Sequence, residues 1–222
     1  MEKRSIEALS ARELGQIYKR PVLFDANIFM VGIENRSGDK YCSFEHIKSV
    51  LLIPLLESFE DILIDKAVYD ELDRNSRDLV DGYSNTNVKI DDISALYGAD
   101  PIYTDIYNNI DTHALFRNKE KSKDHLGEIR SLAYAAHKGI SYFCSKDASV
   151  DLIAQELALL KGVTIITMDS IFLCARLYHE QKGSIEEHKP HLKSMYKKYC
   201  SDVIRRKQLP QTLNKYVEMC LD

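Results

Sequence analysis

The stretch DHLGEIRSLAYAAHKGISYFCSKDASVDLIAQELALLKGVTIIT, residues 124–167, decides the architecture. Residues 124–138 read as a helix, and Gly139 suits its left-handed cap. A short apolar strand over 140–145 follows. A second helix over 148–161 is closed by Gly162, and a second strand spans 163–167. Residues 169–182 read as a further helix closed by Gly183. Strands that are apolar throughout, joined through helices by short connections, indicate a parallel sheet covered on both faces.

Working outward, Val22-Leu23-Phe24 reads as a buried strand ending at Asp25, after a short helix over 5–19 that Arg20-Pro21 stops. A helix over 44–59, a strand over 61–65 and a helix over 66–77 come next. Residues 78–122 are rich in Asp, Asn, Gly and Tyr, with helical pieces expected near 91–97 and 102–116. Beyond Gly183 the chain reads as strandless, basic and amphipathic, in two helical segments separated near Leu209-Pro210. The expectation is an α/β fold of three layers, α/β/α, around a central, mainly parallel sheet. An N-terminal helix (1–19), a central domain (20–183) and a basic helical extension (184–222) make up the chain.

With 222 residues, 45% of them hydrophobic, the chain is long enough to bury a sizeable core. Its net charge of −4 argues against a pure polyanion-binding protein, which needs a basic surface. The charge is uneven: residues 182–215 carry nine Lys/Arg against three Asp/Glu, and the remainder is acidic. The apolar runs are too short to span a bilayer. Residues 1–18 lack the apolar core of a leader. Five scattered cysteines without a Cys-x-x-Cys spacing suit reduced thiols, so a cytoplasmic protein with no membrane association is expected. The seven histidines are dispersed as well, and no structural zinc site is expected.

Ligands of parallel α/β sheets gather beyond the carboxyl ends of the strands. Asp25 and Asp147 fall at such ends; Asp169 does too, although capping of the next helix is its simpler role. Glu71 follows Val68 and Ala67 by three and four residues and is expected on their inward stripe. Glu128 precedes Leu132 and Ala135 by four and seven, in line with the buried side of its helix. A carboxylate on an inward face is costly unless a positive charge meets it, and a metal ion would do so. Asp124, one turn before Glu128, and Asp151, one turn after Asp147, are placed to join the cluster or to cap helices. Hard Mg²⁺ or Mn²⁺ ions prefer such oxygen ligands. One or two of them would activate water against a phosphodiester.

These residues resemble the PIN-domain nucleases. Val22-Leu23-Phe24-Asp25-Ala26-Asn27 resembles the family's opening strand with its Asp-x-Asn, and Val68-Tyr69-Asp70-Glu71-Leu72 resembles its second acidic motif. Leu126-Gly127-Glu128 at the head of an Ala/Leu-rich helix resembles the third. Cys144-Ser145-Lys146-Asp147 resembles the fourth, a strand end with Ser-x-Asp. The resemblance spans residues 20–183. It implies a Mg²⁺- or Mn²⁺-dependent endoribonuclease, with Asp25, Glu71, Glu128 and Asp147 as metal-holding and catalytic residues. Asn27 and Ser145 would support them, with Asp124 and Asp151 nearby. It further implies an RNA substrate and, for toxin members of the family, an antitoxin or other protein partner; a homodimer is also a family-level expectation. The alternatives are a PIN-like RNA-binding or scaffold module without turnover and a haloacid-dehalogenase-like phosphatase. The phosphatase needs Asp-x-Asp where this chain has Asp25-Ala26-Asn27.

Overall fold

The computed structural model describes residues 17, 19–30, 44–117, 125–145 and 147–166. The expected N-terminal helix (apart from Ile17 and Lys19), the helix over 169–182, the basic extension, Asp124 and Asp169 lie outside the described residues.

Strand β1 (Val22–Phe24) leads into the single-turn helix α1 (Ala26–Phe29). Helix α2 runs as Phe44–Ile47, a π-helical stretch Lys48–Leu52, and Ile53–Ser58. Pro54 has no N–H to return to the preceding turn, and the wider π-type spacing falls just before it. Strand β2 (Ile62–Asp65) is followed by α3 (Lys66–Glu71) and α4 (Arg74–Asp81), then by strand β3 (Val88–Asp91). After a 3-10 turn (Ile93–Leu96) come α5 (Pro101–Asp111), α6 (Ala114–Arg117) and α7 (Leu126–Lys138). Strand β4 (Tyr142–Cys144), helix α8 (Ala148–Glu156), a 3-10 turn (Ala158–Leu160) and strand β5 (Thr164–Ile166) complete the described chain.

The five strands form one parallel sheet in the order β3-β2-β1-β4-β5. Alternation along each strand sends side chains to two separate cores. Val22, Phe24, Ile62, Ile64, Cys144 and Ile166 pack with Leu52, Leu55 and Leu56 of α2 and Leu79 and Val80 of α4. Leu23, Leu63, Phe143 and Ile165 pack with Tyr103 and Ile110 of α5, Ile129 and Leu132 of α7, and Val150 and Ile153 of α8. Because both faces are buried, three or four consecutive apolar residues suffice for a strand, and the fold is the expected three-layer α/β/α. Gly139 ends α7 at φ 67°, where a side chain would meet the αL penalty.

Three elements differ from the sequence reading. The helix expected over 148–161 stops at Glu156, where Leu157 turns extended (ψ 117°) and a 3-10 turn (Ala158–Leu160) follows. Strand β3 occupies part of the region expected to hold only helical pieces; it pairs with β2 in register from Ile62↔Val88 to Asp65↔Asp91. The helix expected over 66–77 is two helices. Leu72 turns extended (ψ 142°), and the Asp73 carboxylate accepts from the Ser76 N–H at 2.8 Å, which starts α4. A local Asx cap outcompetes helix continuation there. Replacing Asp73 by Ala is expected to cost about 1 kcal/mol of stability, while Asp73→Asn stays near wild type. Urea denaturation of the two variants checks this, and equal losses would assign the break to packing instead.

Candidate metal centre

From the central strand β1 the chain moves outward through β2 and β3, then returns to build β4 and β5 on the other side. The strand order therefore reverses between β1 and β4, and a crevice opens at their carboxyl ends. Both strands end in acidic segments there.

Asp25 follows β1 and extends its pairing, its N–H donating to the Cys144 carbonyl at 3.0 Å. It occupies the cap position of α1, yet its carboxylate makes no capping hydrogen bond. The side chain is buried and held from β4: Ser145 Oγ donates to Asp25 Oδ2 at 2.8 Å, and Asn27 Nδ2 donates to the same oxygen. Asn27 Nδ2 also lies 3.2 Å from Ser145 Oγ, which accepts the Asp147 N–H at 3.1 Å. Asp25, Asn27, Ser145 and the backbone of Asp147 thus form one network joining two strand ends.

Asp147 caps α8, its Oδ1 accepting from the Ser149 N–H at 2.8 Å and the Ser149 hydroxyl at 2.7 Å. Glu128, in the first turn of α7, is buried as its position on the helix predicts. His125 precedes it at the cap position of α7 without a side-chain cap, buried against the Phe116 ring at 5.1 Å. Its Nδ1 is 3.6 Å from Glu128 Oε1. One ligand atom each from His125, Glu128 and Asp147 lie within 4.8 Å of one another.

Burial raises the Asp25 carboxyl from 3.8 to about 7, with the charge of Glu128 as the second cause. The Ser145 hydroxyl and the Ala26 N–H oppose the rise, and Asp147 adds to it. Two buried acids, Asp25 and Glu128, therefore stand within electrostatic reach of each other and of the partly buried Asp147, where a proton or a cation is favoured. The donor set suits a divalent ion. With metal–oxygen distances of 2.0–2.1 Å, ligands of one Mg²⁺ stand about 2.9 Å apart when adjacent and about 4.2 Å when opposite. The ligand atoms of His125, Glu128 and Asp147 need only slight closure to reach this, and the Asp25 carboxyl stands near enough for the charges of Glu128 and Asp147 to act on it.

Glu71 stands differently from the expectation. It is exposed, because α3 ends on it and Leu72, one residue later, takes the buried position. Its Oε1 still approaches the head of α7, 3.2 Å from where a Cβ on Gly127 would lie. Asp151 is turned to its own helix, Oδ2 accepting from Gln155 Nε2 at 2.8 Å. His125 escaped the sequence reading. The available signal was its spacing of three from Glu128, which shares a helix face.

Among the described residues no helix is long and apolar enough to cross a membrane. No family model matches this chain, and neither the curated proteins nor the solved structures contain a significant match to it.

Proposed function

We propose that the chain is a PIN-like, divalent-metal-dependent endoribonuclease, with Asp25, Glu128 and Asp147 holding one or two Mg²⁺ or Mn²⁺ ions and Glu71 at the rim. The observation that carries this reading is the meeting of Glu128 and Asp147, with His125, in one cluster at the β1/β4 switch point, beside the buried Asp25 carboxyl that burial and the charge of Glu128 raise in pKa. An ion bound there would polarise a phosphodiester and lower the pKa of attacking water. Asn27 and Ser145 keep Asp25 Oδ2 in place, and the Asp147 N–H on Ser145 Oγ locks the β4 end to the β1 end. No side-chain nucleophile is needed.

RNA as substrate, a cytoplasmic setting and an antitoxin or second copy as partner belong to the same proposal, on the strength of the motif resemblance. The basic segment 182–215 suits either phosphate contacts or a protein partner.

Asp147→Asn tests the reading without disturbing the fold, since Asn also caps helices well. Cleavage of single-stranded RNA in Mg²⁺ or Mn²⁺ is expected to fall by more than the 10- to 100-fold (roughly) that follows loss of an outer partner of a metal ligand. Cleavage that survives the substitution refutes the assignment. RNA binding with no cleavage in any divalent ion would favour the scaffold alternative, and turnover of small phosphate monoesters alone the phosphatase.

A further inference from the structure

We propose that His125 supplies a nitrogen ligand to this centre and biases it toward Mn²⁺ and other first-row transition ions over Mg²⁺. The inference rests on the metal reading above and adds to it a donor that the acidic motifs do not contain.

The placement of His125 is unusual for a helix start. The cap position of α7 ordinarily favours Ser, Thr, Asp or Asn, whose side chains satisfy an early N–H and stabilise by about 1 kcal/mol. Here it holds an imidazole that makes no capping hydrogen bond. The side chain is 8% exposed, its ring lies tilted on Phe116 at 35°, and its Nδ1 is 3.6 Å from Glu128 Oε1. The residue thus forgoes the local interaction of its position and sits beside two carboxylates instead. A ligand atom of its ring lies within 4.8 Å of those of both Glu128 and Asp147, which come from different elements. Packing against Phe116 limits ring rotation, so little rotamer freedom is left to lose on binding an ion.

The chemistry follows from donor type. Mg²⁺ is hard, favours an all-oxygen environment and gives up water reluctantly. Imidazole nitrogen suits transition ions, whose affinities for a mixed nitrogen and oxygen site rise from Mn²⁺ upward through the series. Two carboxylates and one imidazole form such a mixed set. A structural role is the competing account: a protonated His125 would pair with Glu128 one turn along the helix and touch no ion.

The full chain loaded with Mn²⁺ distinguishes the two. Electron spin-echo modulation is expected to show ¹⁴N coupling from a directly bound imidazole. That coupling is expected to vanish in His125→Asn, which still binds Mn²⁺ and, as a good capping residue, still folds. In competition titrations the preference for Mn²⁺ over Mg²⁺ is expected to fall about tenfold or more in the variant. Mn²⁺ bound to the wild type without ¹⁴N coupling, or coupling that persists in His125→Asn, overturns the proposal and leaves the carboxylate centre standing. Failure of the wild type to bind Mn²⁺ overturns both.

Discussion

Asp25→Asn is expected to abolish metal-dependent cleavage and, in chelator above pH 7, to make the protein more stable than the wild type. The second half follows from the site's electrostatics. The Asp25 carboxyl ionises near 3.8 in ordinary surroundings and at about 7 in the fold. Below about pH 4 both folded and unfolded chains hold the proton, and Asp25 imposes no ionisation penalty. As the pH rises toward 7 the unfolded chain releases the proton while the folded chain keeps it, so stability falls; above 7 the loss is complete. Three pKa units correspond to about 4 kcal/mol, an upper figure because part of the rise comes from neighbouring charges, Glu128 first. Asn is neutral, nearly isosteric, and still accepts from Ser145 through its carbonyl. The variant should therefore match the wild type near pH 4 and exceed it at pH 8. Adding Mn²⁺ should reverse the order, since an ion that binds only the folded wild type stabilises it by mass action. Urea midpoints of both proteins at the two pH values, with chelator and with Mn²⁺, give the four differences required. A variant less stable than the wild type at pH 8 in chelator would show that Asp25 is held by hydrogen bonds that outweigh its burial.

The same balance explains how far the sequence could be read. Strands β1, β2, β4 and β5 are buried on both faces, so their apolar runs stand out, and a polar residue closing such a run marks a strand end. Asp25 and Asp147 were visible for that reason, whereas Ser145 entered only through the motif resemblance. Strand β3 lies at the sheet edge: Val88 is buried but Lys89 and Asp91 are exposed, and four residues of mild alternation do not stand out among polar neighbours. Glu71 was placed inward by its spacing of three and four from Val68 and Ala67, in a helix expected to run on to residue 77. The chain breaks that period with a cap at Asp73, and nothing in the apolar pattern announces it. Depth was the other illegible quantity. The spacing puts Glu128 on the buried side of α7, but only the packing of α7 against the β4 end brings its charge to bear on Asp25. His125 needed the same tertiary information, since among seven dispersed histidines spacing alone does not single it out.

Gly127→Ala is expected to destabilise the protein by about 1–3 kcal/mol, although Ala is the better helix former by about 1 kcal/mol. Gly127 lies in the first turn of α7 where that helix crosses α3. A Cβ there would sit 2.8 Å from Val68 Cγ2, 3.2 Å from Glu71 Oε1 and 3.8 Å from Val68 Cα. The Glu71 atom met is the end of a long, flexible side chain of an exposed residue and can give way at little cost. Val68 cannot: it is fully buried, and its branched side chain has one favoured rotamer in a helix. The added methyl must therefore push the head of α7 away from α3. His125 and Glu128 flank Gly127 in sequence, so both donors move with it. Mn²⁺ affinity should accordingly fall further than in an equally destabilised core variant remote from the site, such as Leu160→Ala. Removing the obstructing methyls tests the cause. In a Val68→Ala background the cost of Gly127→Ala should shrink by at least about 1 kcal/mol, a coupling that independent sites do not show. Strict additivity of the two substitutions would mean that α7 tolerates the methyl and that the glycine is there for some reason other than the close crossing with α3.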